Sequence, residues 1–318
     1  MKKRALGRTG LMVSEIGVGA WQLGGPLRLD GRTDGHPDLG RENVLALIRA
    51  CGERGINLID TAEQYGAGES ERRVGEAIAG QRDRWVVCTK FGALVGPRGE
   101  RITDVSAARV PLSLEGSLRR LRTDSIDVYL YHTPPDPKEA EGVARVLETA
   151  KRSGKVRAVG SSTDRLDQCR FLLGLGCLDV VELPQNILEP REELTAFLAA
   201  NGIGAIVRGA FAHGRLSGRY FHSPPGFAPD DIRSNWYTPD GATSEFARYA
   251  VFEDLVTASR SMAQLALRYL LDQPTTGTII LGAKTIGDYD AAIAASELPR
   301  LRPEEGARLA ELRRRLGG

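Results

Sequence analysis

The feature that most constrains the fold is an alternation repeated eight times, in which a short apolar, β-branched run is followed by a longer stretch of helical spacing. The short runs occupy residues 15–18, 58–60, 85–90, 126–131, 156–160, 179–183, 204–207 and 278–281. Each is apolar on both faces, as a strand must be when helices cover it. Helical patterns fall at 41–54, 69–79, 112–121, 138–152, 165–173, 191–200 and 262–271. Gly55, Gly80, Gly154 and Gly202 stand just past helix ends, where a left-handed residue commonly closes the last turn. Eight such units predict a closed parallel α/β barrel, the (β/α)8 TIM barrel. A Gly7 to Gly10 turn within residues 3–13 predicts a short hairpin ahead of it. Barrels of roughly 250 to over 400 residues form one domain, so the 318 residues read as a single domain.

Composition serves to exclude. The 43 basic and 41 acidic residues are interspersed and leave a formal charge of +2, which provides no electrostatic footprint for nucleic acid or membrane. No apolar run approaches the roughly 20 residues of a membrane helix, and the stretch from Leu11 to Ala20, broken by Ser14 and Glu15, makes no signal-peptide core. Cys51, Cys88, Cys169 and Cys177 form no C-x-x-C pair and imply no disulfide framework, so a cytoplasmic, reduced protein is expected.

Chemistry on such a barrel sits at the C-terminal ends of the strands. There Asp60 ends the second run, Lys90 the third and His132 follows the fourth, with Tyr65 in the loop after Asp60. Each has an ordinary explanation alone. Asp60 with Glu63 resembles a capping arrangement, Lys90 a solvated strand end, and His132 ahead of Thr133-Pro134-Pro135 a satisfied turn. Together they form a set: an ammonium lowers the pKa of a neighbouring phenol, an aspartate keeps that ammonium charged, and a neutral histidine adds a hydrogen bond to a reacting oxygen.

The segment Asp60-Thr-Ala-Glu-Gln-Tyr65-Gly-Ala-Gly-Glu-Ser-Glu resembles the signature of the aldo-keto reductase superfamily. Leu6-Gly-Arg-Thr-Gly-Leu11, Gly17-Val-Gly-Ala-Trp21, Thr89-Lys90-Phe91-Gly92, Tyr131-His132, Gly154-Lys-Val-Arg157 and Gly282-Ala-Lys-Thr285 resemble further family segments in family order, nearest to bacterial members of the potassium-channel β-subunit-like branch. The resemblance implies NAD(P)H-dependent reduction of an aldehyde, ketone or sugar carbonyl, with Asp60, Tyr65, Lys90 and His132 as the catalytic tetrad and Tyr65 as general acid. It further implies that Ser162, Thr163 and Gln185 line the nicotinamide, that Trp21 belongs to the pocket, and that the loop carrying Gly209, Ala210, Phe211, Gly214, Leu216 and Gly218 wraps the pyrophosphate. Ser162-Thr163 stands where the family has Ser-Asn, and the family's proline after the seventh strand is missing.

The resemblance also places the adenosine end of the coenzyme after the eighth strand, at Gly282, Lys284 and Asp288. Lys284 favours NADP(H), whereas the Asp288 carboxylate would repel a 2'-phosphate and suits the free ribose hydroxyls of NAD(H). Trp21, Phe91, Trp236 and Tyr237 are candidate pocket walls, the last two in a Pro-rich segment, residues 208–243, that holds Pro224, Pro225, Pro229 and Pro239. Arg233 beside them hints at an anionic or hydroxylated substrate.

Other motifs fail. Gly17-Val-Gly19 lacks its third glycine at Gln22, no Walker lysine occurs, and His36, His132, His213 and His222 include no H-E-x-x-H pair, so no metal is expected. Two other functions share the same residues: a coenzyme-binding regulatory subunit with vestigial catalysis, and a sugar-modifying enzyme that recycles its nicotinamide. Oligomeric state is not encoded in any of these patterns.

Overall fold

The structure, a computed structural model, describes residues 1–223, 225–237 and 244–317. Eight parallel strands form the closed barrel: β1 (Ile16–Gly19), β2 (Leu58–Asp60), β3 (Val86–Phe91), β4 (Ile126–Tyr131), β5 (Val156–Ser162), β6 (Val180–Pro184), β7 (Gly204–Arg208) and β8 (Thr276–Leu281). They pair in sequence order, and β8 returns to β1 with Ile279 opposite Ile16. The (β/α)8 expectation is therefore met. Helices α1 (Arg41–Glu53), α2 (Glu69–Ala77), α3 (Arg109–Leu121), α4 (Ala140–Arg152), α5 (Leu166–Gly174), α6 (Glu192–Asn201) and α7 (Met262–Leu271) cover the outside. Two more, α8 (Ile286–Glu297) and α9 (Pro303–Leu316), go beyond the sequence expectation.

The core has two principal layers. Outward-facing strand residues such as Val18, Ile59, Val87, Tyr129 and Val181 pack under the helices. Inward-facing ones, among them Leu58, Val86, Cys88, Val128, Leu130, Ile206 and Ile280, fill the barrel. The interior is closed at its N-terminal end by the expected hairpin, Lys3–Ala5 paired with Met12–Ser14, which inserts Leu6, Leu11 and Val13 into the same cluster. Burying these three side chains contributes on the order of 1.5–3 kcal/mol each.

Strand register positions the polar groups. Asp60 lies opposite Cys88, and Ser162 opposite Glu182. Pro184 lies opposite Arg208. Several strands run one or two residues past their apolar stretch, to Phe91, Ser162, Pro184 and Arg208, because ladder hydrogen bonds continue after the hydrophobic pattern stops. Within the long segment after β7, Ala212–Gly214 and Ile232–Asn235 form short 3-10 turns. Pro224, Pro239 and Thr243 lie outside the described residues. All four cysteines are buried and free. Among the described residues no helix is long and apolar enough to cross a membrane.

Candidate active site

The loop after β2 assembles the site. Asp60 ends the strand, and the chain turns at once through the 3-10 segment Tyr65–Gly68. Gly66 has φ +57°, and a Cβ there would stand 2.2 Å from the Gly24 carbonyl oxygen, so a side chain at this position would separate the turn from the one after β1. This close packing brings Tyr65 over the barrel mouth.

From β3, Lys90 donates to Asp60 Oδ1 and Oδ2 at 2.6 and 2.7 Å, to the Thr61 carbonyl at 3.1 Å and to Tyr65 Oη at 3.4 Å. His132 follows β4; its amide donates to the Phe91 carbonyl at 2.8 Å, and its ring meets Tyr65 edge-on with centroids 5.6 Å apart. The fold thus gathers Asp60, Tyr65, Lys90 and His132, and the ordinary explanations give way. Lys90 is fully buried rather than solvated. Glu63 accepts from the Gly92 amide at 3.3 Å and Ser113 Oγ at 3.1 Å rather than capping a helix.

A fifth member is absent from the set that the sequence patterns single out. Glu182 on β6 is 1% exposed, with Oε2 3.1 Å from Lys90 Nζ. Ser162 Oγ donates to its Oε1 at 3.1 Å, and Arg208 Nε lies 3.4 Å from the same oxygen. A lone carboxylate inside the otherwise apolar run Val180-Val-Glu-Leu-Pro184 is the available signal, since such a group needs a buried partner.

Burial sets the protonation states. It opposes charge on Lys90, but Asp60 and Glu182 outweigh it and keep the ammonium protonated. Burial, then Lys90, lowers His132 to about 3, so its imidazole is neutral at physiological pH. Burial, then Glu182, raises Asp60 to about 8. Tyr65 corrects the sequence expectation: Lys90 does pull its pKa down, but burial is larger and, with Asp60 and Glu182, leaves the phenol above its ordinary value.

The expected coenzyme residues divide into two groups. Ser162 ends β5, Gln185 follows β6 and the next loop follows β7, all at the C-terminal ends of the strands. Gln185 donates Nε2 to the Pro190 carbonyl at 2.7 Å and leaves Oε1 buried without a hydrogen-bond partner. In the loop, Gly209, Ala212, His213, Gly214 and Gly218 all have positive φ, and the amides of Ala212, Gly214 and Leu216 donate back to the Gly209 and Phe211 carbonyls. Ala210 and Leu216 bury their side chains, and Phe211 is packed against the apolar core. Thr163, by contrast, spends its hydroxyl on Gln168 Oε1 at 2.6 Å.

After β8, Gly282 adjoins Gln22, whose Nε2 ties the Gly19 and Ala283 carbonyls together. Lys284 Nζ lies 3.7 Å from Asp231. Thr285 caps α8 by accepting from the Asp288 amide, and its hydroxyl donates to the Asp288 carboxylate at 2.7 Å.

The candidate walls also divide. Trp21 stands 6.1 Å from Tyr65 and 6.3 Å from Trp236, ring centre to ring centre. Phe91 is core, packed at a tilt between Tyr129 and Tyr131, and Tyr237 packs on Phe246. Arg233 is held bidentately by Asp231 at 2.9 and 2.6 Å, so its charge is already answered within the protein.

A closed parallel barrel whose ionisable side chains converge at the strands' C-terminal ends is the architecture of barrel enzymes. The sequence profile of the aldo/keto reductase family matches residues 15–314, and the chain belongs to this family of oxidoreductases, which use nicotinamide cofactors. It is 32% identical over 301 residues to the aldo-keto reductase YhdN of Bacillus subtilis, covering 92% of this chain and 87% of that one. It is 30% identical over 301 residues to an NADH-specific methylglyoxal reductase of Escherichia coli, covering 89% and 90%. A probable voltage-gated potassium channel subunit beta of Oryza sativa is 27% identical over 331 residues, covering 96% and 94%, in keeping with the branch expected from the motifs. The solved glycerol dehydrogenase of Gluconobacter oxydans superposes with a TM-score of 0.84 at 27% identity, covering 98% and 95%.

Proposed function

We propose that the protein reduces an aldehyde, ketone or sugar carbonyl to the alcohol, reversibly, with a nicotinamide coenzyme. The observation that carries this reading is Lys90 Nζ, 3.4 Å from Tyr65 Oη and clamped by Asp60, with a neutral His132 across the ring. When bound, the coenzyme supplies the hydride that goes to the carbonyl carbon. Tyr65 delivers its hydroxyl proton to the carbonyl oxygen, completing the alcohol. Lys90 attracts the negative charge that develops on the phenol oxygen, and Asp60 fixes the Lys90 ammonium. Neutral His132 orients the carbonyl oxygen by hydrogen bonding. The orphaned Gln185 Oε1 fits an amide donor such as the nicotinamide carboxamide, and the left-handed loop after β7 fits a pyrophosphate.

The NADP(H) preference expected from Lys284 loses its main support, because Asp231 engages that lysine and Asp288 stands in the first turn of α8. A carboxylate there opposes a 2'-phosphate and accepts hydrogen bonds from ribose hydroxyls, so NAD(H) is the coenzyme we favour. Free, buried cysteines suit a reducing compartment, and we place the protein in the cytoplasm.

The test monitors reduced-nicotinamide absorbance with a reactive aromatic aldehyde, using NADH and NADPH in parallel on wild type and Tyr65→Phe. The variant should lose about a hundredfold or more in turnover while still binding coenzyme. Full activity in Tyr65→Phe would remove Tyr65 from the mechanism, and a higher kcat/KM with NADPH would reverse the coenzyme assignment.

A further inference from the structure

The proposed reaction uses four ionisable side chains, and a fifth buried group in the same site has no part in it. Glu182 approaches Lys90 Nζ from β6 at 3.1 Å while Asp60 approaches the same nitrogen from β2 at 2.6 Å. Oxygens of the two carboxylates lie within 4.8 Å of each other. Two carboxylates sharing one ammonium in a site closed to solvent resist simultaneous ionisation, because each added negative charge there is poorly solvated.

The remaining neighbours do little to relieve this. Cys88 on β3 has its thiol pushed well up by burial and so adds no charge at neutral pH. His132 after β4 is neutral, and Ser162 on β5 offers one hydroxyl. Tyr65 is a phenol. Arg208 on β7 is the second cation, but its side chain is 43% exposed and reaches only Glu182, at 3.4 Å.

We propose that Glu182 is a positioning residue that shares both Lys90 and a single proton with Asp60, and that loss of this proton weakens Tyr65 as an acid. The inference rests on the reductase reading only for its effect on turnover. With the shared proton in place, Lys90 faces one negative charge and retains attraction for the charge that develops on Tyr65 Oη. Once the proton leaves, Lys90 stands between two anions, and the phenol gives up its own proton less readily. The proton belongs to the pair rather than to one residue. Burial and Glu182 raise Asp60 to about 8, while Lys90 and Arg208 outweigh burial and lower Glu182, which sets the release on the alkaline side of neutrality.

Two measurements test this. The first is infrared difference spectroscopy of the coenzyme-free protein across pH 8, read at the carbonyl stretch of a protonated carboxylic acid. Wild type should show a component that bleaches as pH rises and that is absent from Glu182→Gln. Glu63, raised to about 7 by burial, contributes a band to both proteins, so the diagnostic is the component that the substitution removes. If Glu182→Gln leaves the spectrum unchanged, the proposal is wrong whatever the turnover.

The second is kcat for aldehyde reduction against pH at saturating coenzyme. Wild type should fall about three- to tenfold on the alkaline side of pH 8, whereas Glu182→Gln should stay level through that range. Arg208→Gln provides a second variant should Glu182→Gln fold poorly. It removes a positive charge from the pair, so the infrared component and the turnover limb should both move to higher pH; a limb that stays in place overturns the proposal. No turnover in any protein, with the Glu182-dependent component present, would remove the reductase reading and leave the shared proton standing.

Discussion

The two ends of the barrel handle buried carboxylates in opposite ways. At the N-terminal edge, Asp127 accepts from the Val87 amide at 2.9 Å and lies between two arginines, Arg82 at 2.7 Å and Arg157 at 2.9 Å, both of which reach solvent. Glu15 is matched there by Arg4. At the C-terminal mouth the ratio is reversed, with a fully buried Lys90 set between Asp60 and Glu182. At the N-terminal edge Asp127 and Glu15 each have at least one arginine of their own, and an apolar plug lies above them. At the other end, two carboxylates share one buried cation, and the half-exposed Arg208 reaches only one of them. The first arrangement answers every charge and so stabilises the barrel. The second leaves charge to be answered by a proton or by something that binds, which is the condition for chemistry.

The largest effect that would test this contrast is Lys90→Met, which keeps the length of the side chain and removes its charge. Leaving both carboxylates buried without the ammonium should cost about 3–5 kcal/mol at neutral pH, measured by urea unfolding. The carboxyls of that variant bind protons more tightly folded than unfolded, so its deficit should shrink as pH falls. A deficit that does not depend on pH would mean the carboxylates are not what the lysine answers. Next comes Leu6→Ala at the plugged end, expected to cost about 2–5 kcal/mol through the cavity it leaves. Its kcat for aldehyde reduction should match wild type, and a large drop in kcat would show that the two ends are not separable. Smallest is Thr285→Ala, which lies at the mouth but acts only through the N-cap of α8. It should lower stability by about 1 kcal/mol in the same unfolding assay, and a larger loss would give Thr285 more than a capping role.

The same contrast explains what the sequence discloses. Strands β2 and β4 can be bounded to the residue because their apolar runs end where their ladders end, whereas β5 and β7 carry on into Ser162 and Arg208, which no apolar criterion includes. Helix α3 starts at Arg109, ahead of Leu112, because Pro111 lies in the first turn, where its missing amide has no intrahelical partner to lose. Helix α8 escapes the periodicity because Asp-Ala-Ala-Ile-Ala-Ala has little contrast between faces, although Thr285 and Asp288 form a legible cap. In α9, Pro303 followed by Glu304 and Glu305 is the start signal that periodicity alone does not pick out.

Asp60, Lys90 and His132 are readable because they stand at the ends of successive runs, and Tyr65 because it lies in the recognisable segment after Asp60. Glu182 is not, because its partner Lys90 belongs to a strand distant in sequence and only barrel closure brings them together. Arg233 misleads for a related reason, since Asp231, two residues earlier, takes the Nε and Nη2 edge of its guanidinium. The acidity of Tyr65 departs from expectation because a sequence displays a neighbouring lysine but not the exclusion of water.

The N-terminal hairpin also bears on the order of assembly. Its seat is built from the far end of the chain: the Arg8 amide donates to the Gly202 carbonyl, and Arg4 donates to the carbonyls of Leu271 and Thr276. Leu6 packs so closely on Gly204 that a Cβ at that glycine would stand 2.8 Å from the leucine side chain. This hairpin, synthesised ahead of the barrel strands, therefore waits for β7 and β8 before it has anywhere to dock, and its contacts carry the loop-closure cost of the whole barrel. Until then Leu6, Leu11 and Val13 stay exposed on the nascent polypeptide, where chaperone binding competes with completion of the barrel.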